Sequence, residues 1–117
     1  MYQRGIRGAI TIEENTIEAV KDATIELISE MKKQNNYDEK DISNVIFTLT
    51  EDIDCVYPAK IAREEFIEWK YVPMMCFNEL DVPNAIKMCS RVLIVVNCGD
   101  NFEPEFVYLD GAENLRK

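Results

Sequence analysis

With 117 residues, a net charge of −9 and a sequence pI near 4.5, the chain has the size of one domain, 1–117. Its charge has the wrong sign for nucleic acid or an anionic membrane surface, which are bound through basic patches. Its apolar runs are far shorter than the roughly 20 residues of a spanning helix, and Met1-Tyr2-Gln3-Arg4-Gly5 lacks the apolar stretch of a signal peptide, so a soluble, cytoplasmic protein is expected.

In chain order, Arg4 to Thr11 reads as a first strand in which Gly5 and Gly8 lie close to Arg7. Glycine inside a strand marks a bulge or a close backbone approach. Asn15, with Glu18 three residues on, has the form of a capping box. It opens a helix with an apolar stripe of Ile17, Val20, Leu27, Ile28 and Met31. A polar connection, 34–43, leads to the β-branched run Asn44 to Thr50, a second strand, and then to the acidic turn Glu51 to Asp54.

Residues 55–83 hold the densest pattern. Pro58 suits the first position of a helix, where its missing N–H is not needed, and Lys60, Arg63 and Glu64 then share one helical face. Tyr71 to Phe77 is an apolar run of strand length, and Asn78-Glu79-Leu80-Asp81 follows where the chain leaves the sheet. Val82 to Met88 allows a short helix. Arg91 to Asn97 is the clearest strand, with Arg91 at its entrance; Phe106 to Leu109 is a last strand, and 111–117 is a tail. The order β-α-β-α-β-α-β-β gives an α+β fold, a mixed β-sheet packed against helices. Apolar sheet left bare by the helices is expected to be covered by oligomerisation.

The chain has no histidine, so the commonest general base and every Ser-His or Cys-His nucleophile arrangement are missing. The four cysteines, at 55, 76, 89 and 98, form no close pair, which argues against a zinc site and a disulfide scaffold. Cys76 would be a nucleophile only with a lowered pKa, and a mid-strand cysteine is ordinarily a small buried hydrophobe. Glu79 and Asp81 offer a carboxylate pair for glycoside hydrolysis, but acidic turns are common. The arginines at 4, 7, 63, 91 and 116 all lie outside the long helix, where every cation is lysine. Arginine's planar fork grips carboxylates, which hints at an anionic small molecule. Arginines, a lysine, a tyrosine and a glutamate suit electrostatic catalysis better than covalent chemistry.

Several motifs, running in order from Arg4 to Arg116, closely resemble the small monofunctional chorismate mutases of the trimeric α/β-barrel class. They are Arg-Gly-Ile-Arg-Gly-Ala at 4–9, Tyr-Pro-Ala-Lys-x-x-Arg-Glu at 57–64, Trp-x-Tyr-Val-Pro-x-x-Cys at 69–76, Glu79-x-Asp81-Val82, Arg91-Val92, and the ending from Val107-Tyr108-Leu109 to Leu115-Arg116. The resemblance implies a ferredoxin-like subunit in a trimeric pseudo-α/β-barrel, with active sites between neighbouring subunits and no metal or cofactor. It implies conversion of chorismate to prephenate by an intramolecular Claisen rearrangement, on the way to phenylalanine and tyrosine.

By motif, Arg91 would donate to the ether oxygen. Glu79 would face the ring and its hydroxyl, with Cys76 beside that hydroxyl. Arg7 and Tyr108 would hold the side-chain carboxylate; Tyr57, Ala59, Lys60, Arg63 and Met75 would line the cleft, and Leu115 and Arg116 would close over it. Two departures from the family pattern stand out: Tyr57 where phenylalanine is expected, and an extra residue between Arg63 and Trp69. The competing reading is a non-catalytic trimeric module that binds a small anion or metabolite in the same clefts.

Overall fold

The computed structural model describes residues 1–115. Its elements are β1 (Tyr2–Thr11), α1 (Ile17–Asn35), β2 (Ile42–Leu49), α2 (Pro58–Glu65), β3 (Met74–Asn78), β4 (Cys89–Cys98) and β5 (Val107–Leu109), with short 3-10 turns at Glu39–Asp41, Ile67–Trp69 and Asp110–Asn114. The strands form one sheet in the order β3-β2-β4-β1-β5. β4 runs antiparallel to both β1 and β2, while β5 on β1 and β3 on β2 are parallel pairs, so the sheet is mixed.

The period of two in a strand sorts the residues onto two faces. Ile6 and Ile10 of β1, Val45 and Phe47 of β2, and Val92, Ile94 and Val96 of β4 are all buried. They join the α1 stripe of Val20, Leu27, Ile28 and Met31, with Ala62 of α2, in one apolar core. Both helices therefore cover the same face of the sheet. The opposite face carries Arg7, Ile46, Thr48, Arg91, Leu93 and Val95, only partly covered, and at the edge strand β3 it carries Met75 and Phe77, which are 60% and 47% exposed.

Local chemistry explains most element ends. Pro58 opens α2 behind Tyr57 in extended conformation. α1 closes on Asn36 in the left-handed conformation, its amide donating to the Lys32 carbonyl, the usual way a helix satisfies a terminal acceptor.

Three expectations from sequence are corrected. α1 is capped by Thr16, whose hydroxyl accepts from the Ala19 amide at 3.1 Å. Asn15 instead exchanges two hydrogen bonds with Asp54, side chain to side chain at 2.7 Å and from the Asp54 amide at 3.1 Å. The capping box at Asn15 and Glu18 is thus absent, because a tertiary partner for Asn15 outcompetes the local one.

Residues 82–88 form no helix. Asn84 and Met88 both adopt positive φ, of 65° and 52°. The Asp52 carboxylate takes the Met88 amide at 3.1 Å, and so short a segment has no stripe long enough to hold a helix by packing. β3 starts at Met74 rather than Tyr71, because a 3-10 turn at Ile67–Trp69 carries the chain past the buried Trp69 first.

Candidate active site

The register places a row of side chains across the uncovered face. Phe77 of β3 pairs with Thr48 of β2, Thr48 with Arg91 of β4, Arg91 with Ala9 of β1, and Ala9 with Tyr108 of β5. Arg91 is the third residue of β4 rather than its entrance. In the next row Arg7 pairs with Leu93, one step diagonal from Arg91. Ala9 is buried in a cluster with Cys89 and Ala112, against which Tyr108 and Leu115 pack, so the β5 end of the row is closed. A cleft of about 240 Å³ lies beside Arg91, lined by Arg7, Ile46, Thr48, Glu79, Arg91 and the β4 residues that follow.

Glu79 enters this cleft from beyond the end of β3. Its amide donates to the Leu49 carbonyl at 2.8 Å, which extends the β2–β3 ladder by one residue. Its Oε1 accepts from the Thr48 hydroxyl at 2.6 Å. The same Oε1 lies 3.4 Å from Arg91 Nε, within ion-pair range. Arg91 Nε is buried without an aligned hydrogen bond, so this contact is Coulombic more than directional. Both side chains are about one quarter exposed, at 26% and 25%.

The Tyr108 hydroxyl is also buried with no hydrogen-bond partner among the described residues. Such a group costs free energy for as long as it has no partner. Arg7 forms no ion pair among the described residues. Leu115 packs against the Ala9, Cys89 and Ala112 cluster on the Tyr108 side. Arg116 lies outside the described residues.

The other residues singled out from sequence stand together elsewhere. Tyr57, Ala59, Lys60, Arg63, Met75 and Cys76 line a second groove, of about 280 Å³, between α2 and the edge strand β3. It adjoins a larger cleft, about 520 Å³, at the start of α2 and the ends of β2 and β3, where Lys60 and Cys76 also appear. Size therefore points to the α2 side, whereas the charge pair lies on the open face. The chemistry of Arg91 and Glu79 is the better guide, since large open grooves also form where subunits meet.

Tyr57 is 68% exposed. Lys60 and Arg63 are exposed, and neither is ion-paired among the described residues. Cys76 pairs with Phe47, on the helix-covered face, so one copy of the chain does not bring Cys76 beside Glu79. Burial pushes its thiol up, while the Ala59 amide at the start of α2 acts the other way. A raised thiol pKa does not favour a nucleophile.

The structure thus divides the expected residues in two. Arg7, Glu79, Arg91, Tyr108 and Leu115 belong to the open face, and Tyr57, Ala59, Lys60, Arg63, Met75 and Cys76 to the α2 groove. Thr48 was not singled out from sequence. A single hydroxyl within the apolar run Val45 to Leu49 is a faint signal, and only the register shows that it sits between Arg91 and the Glu79 side of the sheet.

The chain belongs to the chorismate mutase type I family, whose model matches residues 3–117. It is 38% identical over 117 residues to chorismate mutase AroH of Bacillus subtilis (strain 168), covering 99% of this chain and 91% of that protein. It is 40% identical over 115 residues to chorismate mutase AroH of Thermus thermophilus, with 97% and 93% covered. Among solved structures, chorismate mutase from Clostridium thermocellum superposes with a TM-score of 0.85 at 40% identity, over 93% of this chain and 96% of that one.

Proposed function

We propose that this chain, acting as one domain in the cytoplasm, converts chorismate to prephenate at a site built from two copies, the open face of one closed by the α2 groove of the next. The observation that carries this reading is the pairing of Arg91 with Glu79 on an uncovered sheet face, with Arg7 and the unpartnered Tyr108 hydroxyl alongside. A module that merely binds an anion has use for Arg7 and Tyr108. It has none for a cation and an anion fixed together.

The rearrangement breaks one C–O bond and forms one C–C bond within a single molecule, with no proton transfer and no nucleophile. A protein accelerates it by holding the extended dicarboxylate substrate in its compact reactive form and by placing charge where charge develops. Arg7 and Tyr108 hold the side-chain carboxylate. Arg91 faces the ether oxygen, where negative charge grows as the bond lengthens. Glu79 faces the ring, where the complementary positive charge appears. Lys60 and Arg63 of the neighbouring copy bring further positive charge over the second carboxylate, Tyr57, Ala59, Met75 and Cys76 supply walls, and Leu115 with Arg116 closes the mouth. Three copies joined head to tail give a closed ring with three such sites, the homotrimer that the family resemblance implies. The exposed edge residues Met75, Phe77 and Leu80 suit burial in that contact.

Subunit mixing tests the shared site. Arg91→Ala disables the open face and Lys60→Ala/Arg63→Ala disables the groove. If sites are shared, dissociating and reassembling the two inactive proteins together restores roughly a quarter of the sites by random assembly. Mixed trimers that stay inactive would overturn the two-copy site. A wild-type trimer that binds chorismate and leaves it unconverted would return the chain to anion binding.

A further inference from the structure

An arginine and a glutamate side by side have a competing arrangement available. The two carboxylate oxygens can meet two guanidinium N–H groups in parallel, the bidentate fork that makes such pairs strong. In that form Glu79 would occupy donors of Arg91 that the ether oxygen needs. The structure shows a different pairing. The ion-pair contact runs from Oε1 of Glu79 to Arg91 Nε, at 3.4 Å, and Nε has no aligned hydrogen bond. Such a contact is not the two short, parallel hydrogen bonds of a fork. The Thr48 hydroxyl holds that same Oε1 at 2.6 Å. Thr48 is the direct cross-strand partner of Arg91, and the backbone of Glu79 is tied to the residue after Thr48, through the Leu49 carbonyl at 2.8 Å.

We propose that Thr48 is a positioning residue for the rearrangement: its hydroxyl pins the Glu79 carboxylate side-on to Arg91 Nε and so keeps the terminal donors of the guanidinium free for the breaking ether oxygen. The inference rests on the proposed roles of Arg91 and Glu79 and adds the group that keeps the two from neutralising each other. A hydroxyl suits the task because it donates one strong hydrogen bond to a carboxylate and adds no charge to the cleft. β2 fixes its direction, since a β-branched side chain in a strand has little rotamer freedom.

The test is steady-state kinetics of Thr48→Val and Thr48→Ser, each in the wild-type and the Glu79→Gln background, with Arg91→Ala as reference. Thr48→Val keeps the shape and strand preference and removes the donor. It is expected to lower kcat about 10- to 100-fold, the scale of a lost hydrogen bond to a charged group. KM should stay within about threefold and the thermal midpoint close to wild type, a split that a merely structural role would not give. Thr48→Ser keeps the donor and should recover most of kcat. With Glu79→Gln present, Thr48→Val should cost little more, because the carboxylate to be held is gone.

A Thr48→Val enzyme with kcat within about twofold of wild type, while Arg91→Ala is strongly impaired, overturns the role of Thr48 and leaves the site standing. So does a serine variant as slow as the valine one, or an equal loss in the Glu79→Gln background. An active Arg91→Ala enzyme would instead overturn the site itself. Thr48→Ala removes the same hydroxyl and carries the same expectation if the valine variant does not fold.

Discussion

Glu79 Oε1 stands 3.4 Å from Arg91 Nε across the bare face of the sheet, so one cleft presents fixed charge of both signs. This is what a transition state with separating charge requires and what a simple anion site lacks. Glu79→Gln preserves shape and hydrogen-bonding length while removing the negative charge. It is expected to lower kcat about 10²- to 10³-fold, the scale of a lost preorganised electrostatic contact, with a smaller change in KM. A kcat within about threefold of wild type would remove Glu79 from the chemistry.

The chain as a whole repels its substrate. With a net charge of −9, a dianion has to be drawn in locally, in the proposed site by Arg7, Lys60, Arg63 and Arg91. Added salt shortens the reach of that field to about 8 Å at 0.15 M. kcat/KM should therefore fall as ionic strength rises, with kcat nearly constant. A flat profile of kcat/KM contradicts steering by these cations.

Gly8 lets side chains of α1 pack directly on the β1 backbone. A Cβ there would collide with Met31 and lie 3.2 Å from Leu27 Cδ1, both in side chains that are essentially fully buried. Gly8→Ala should therefore lower stability by about 1–3 kcal/mol, the usual cost of overpacking a core. The midpoint of urea unfolding checks this. An unchanged midpoint would mean that Met31 moves aside without cost.

Tyr37 is 6% exposed, and its hydroxyl has no hydrogen-bond partner among the described residues. Burial, and secondarily the charge of Glu39, push its phenol well above the ordinary value. The folded protein thus keeps this proton at a pH where the unfolded chain releases it. Its contribution to stability is complete below about pH 10 and is lost as pH rises further. The thiols of Cys76 and Cys89, raised in the same sense, begin the loss nearer pH 9. Tyr37→Phe should leave stability at pH 7 unchanged or raise it by about 1 kcal/mol, since an unsatisfied buried hydroxyl disappears. It should also flatten the decline above pH 10 and leave the thiol part intact. Urea midpoints across pH 7–11 distinguish these outcomes, and a destabilised Tyr37→Phe would show that the hydroxyl is satisfied after all.

Most strands were legible because an apolar, β-branched run such as Arg91 to Asn97 leaves few alternatives, and Pro58 announces the start of α2 from its covalent geometry alone. The missing helix at 82–88 was not legible. Met88 is held by the Asp52 carboxylate on its amide and the Ile12 amide on its carbonyl, partners more than thirty residues away in sequence. Asn15 misled for the same reason, since its local capping pattern lost to Asp54. The charged residues of the site were readable through the family motifs. Their division between an open face and a groove was not, because it depends on strand register and on which face the helices cover. Thr48 escaped notice on the same ground: its neighbour across the sheet is 43 positions further along the chain.

In the proposed mechanism a cation fixed at the breaking bond drives the rearrangement. The most direct measurement follows loss of chorismate absorbance with prephenate confirmed as product, for wild type, Arg91→Ala and Arg91→Lys at matched protein concentration. The account predicts rapid conversion by wild type, a kcat lower by at least ~10²–10³ for Arg91→Ala, and only partial recovery with lysine, whose point charge cannot reproduce the guanidinium fork. Conversion by a folded Arg91→Ala enzyme at near wild-type kcat would contradict it.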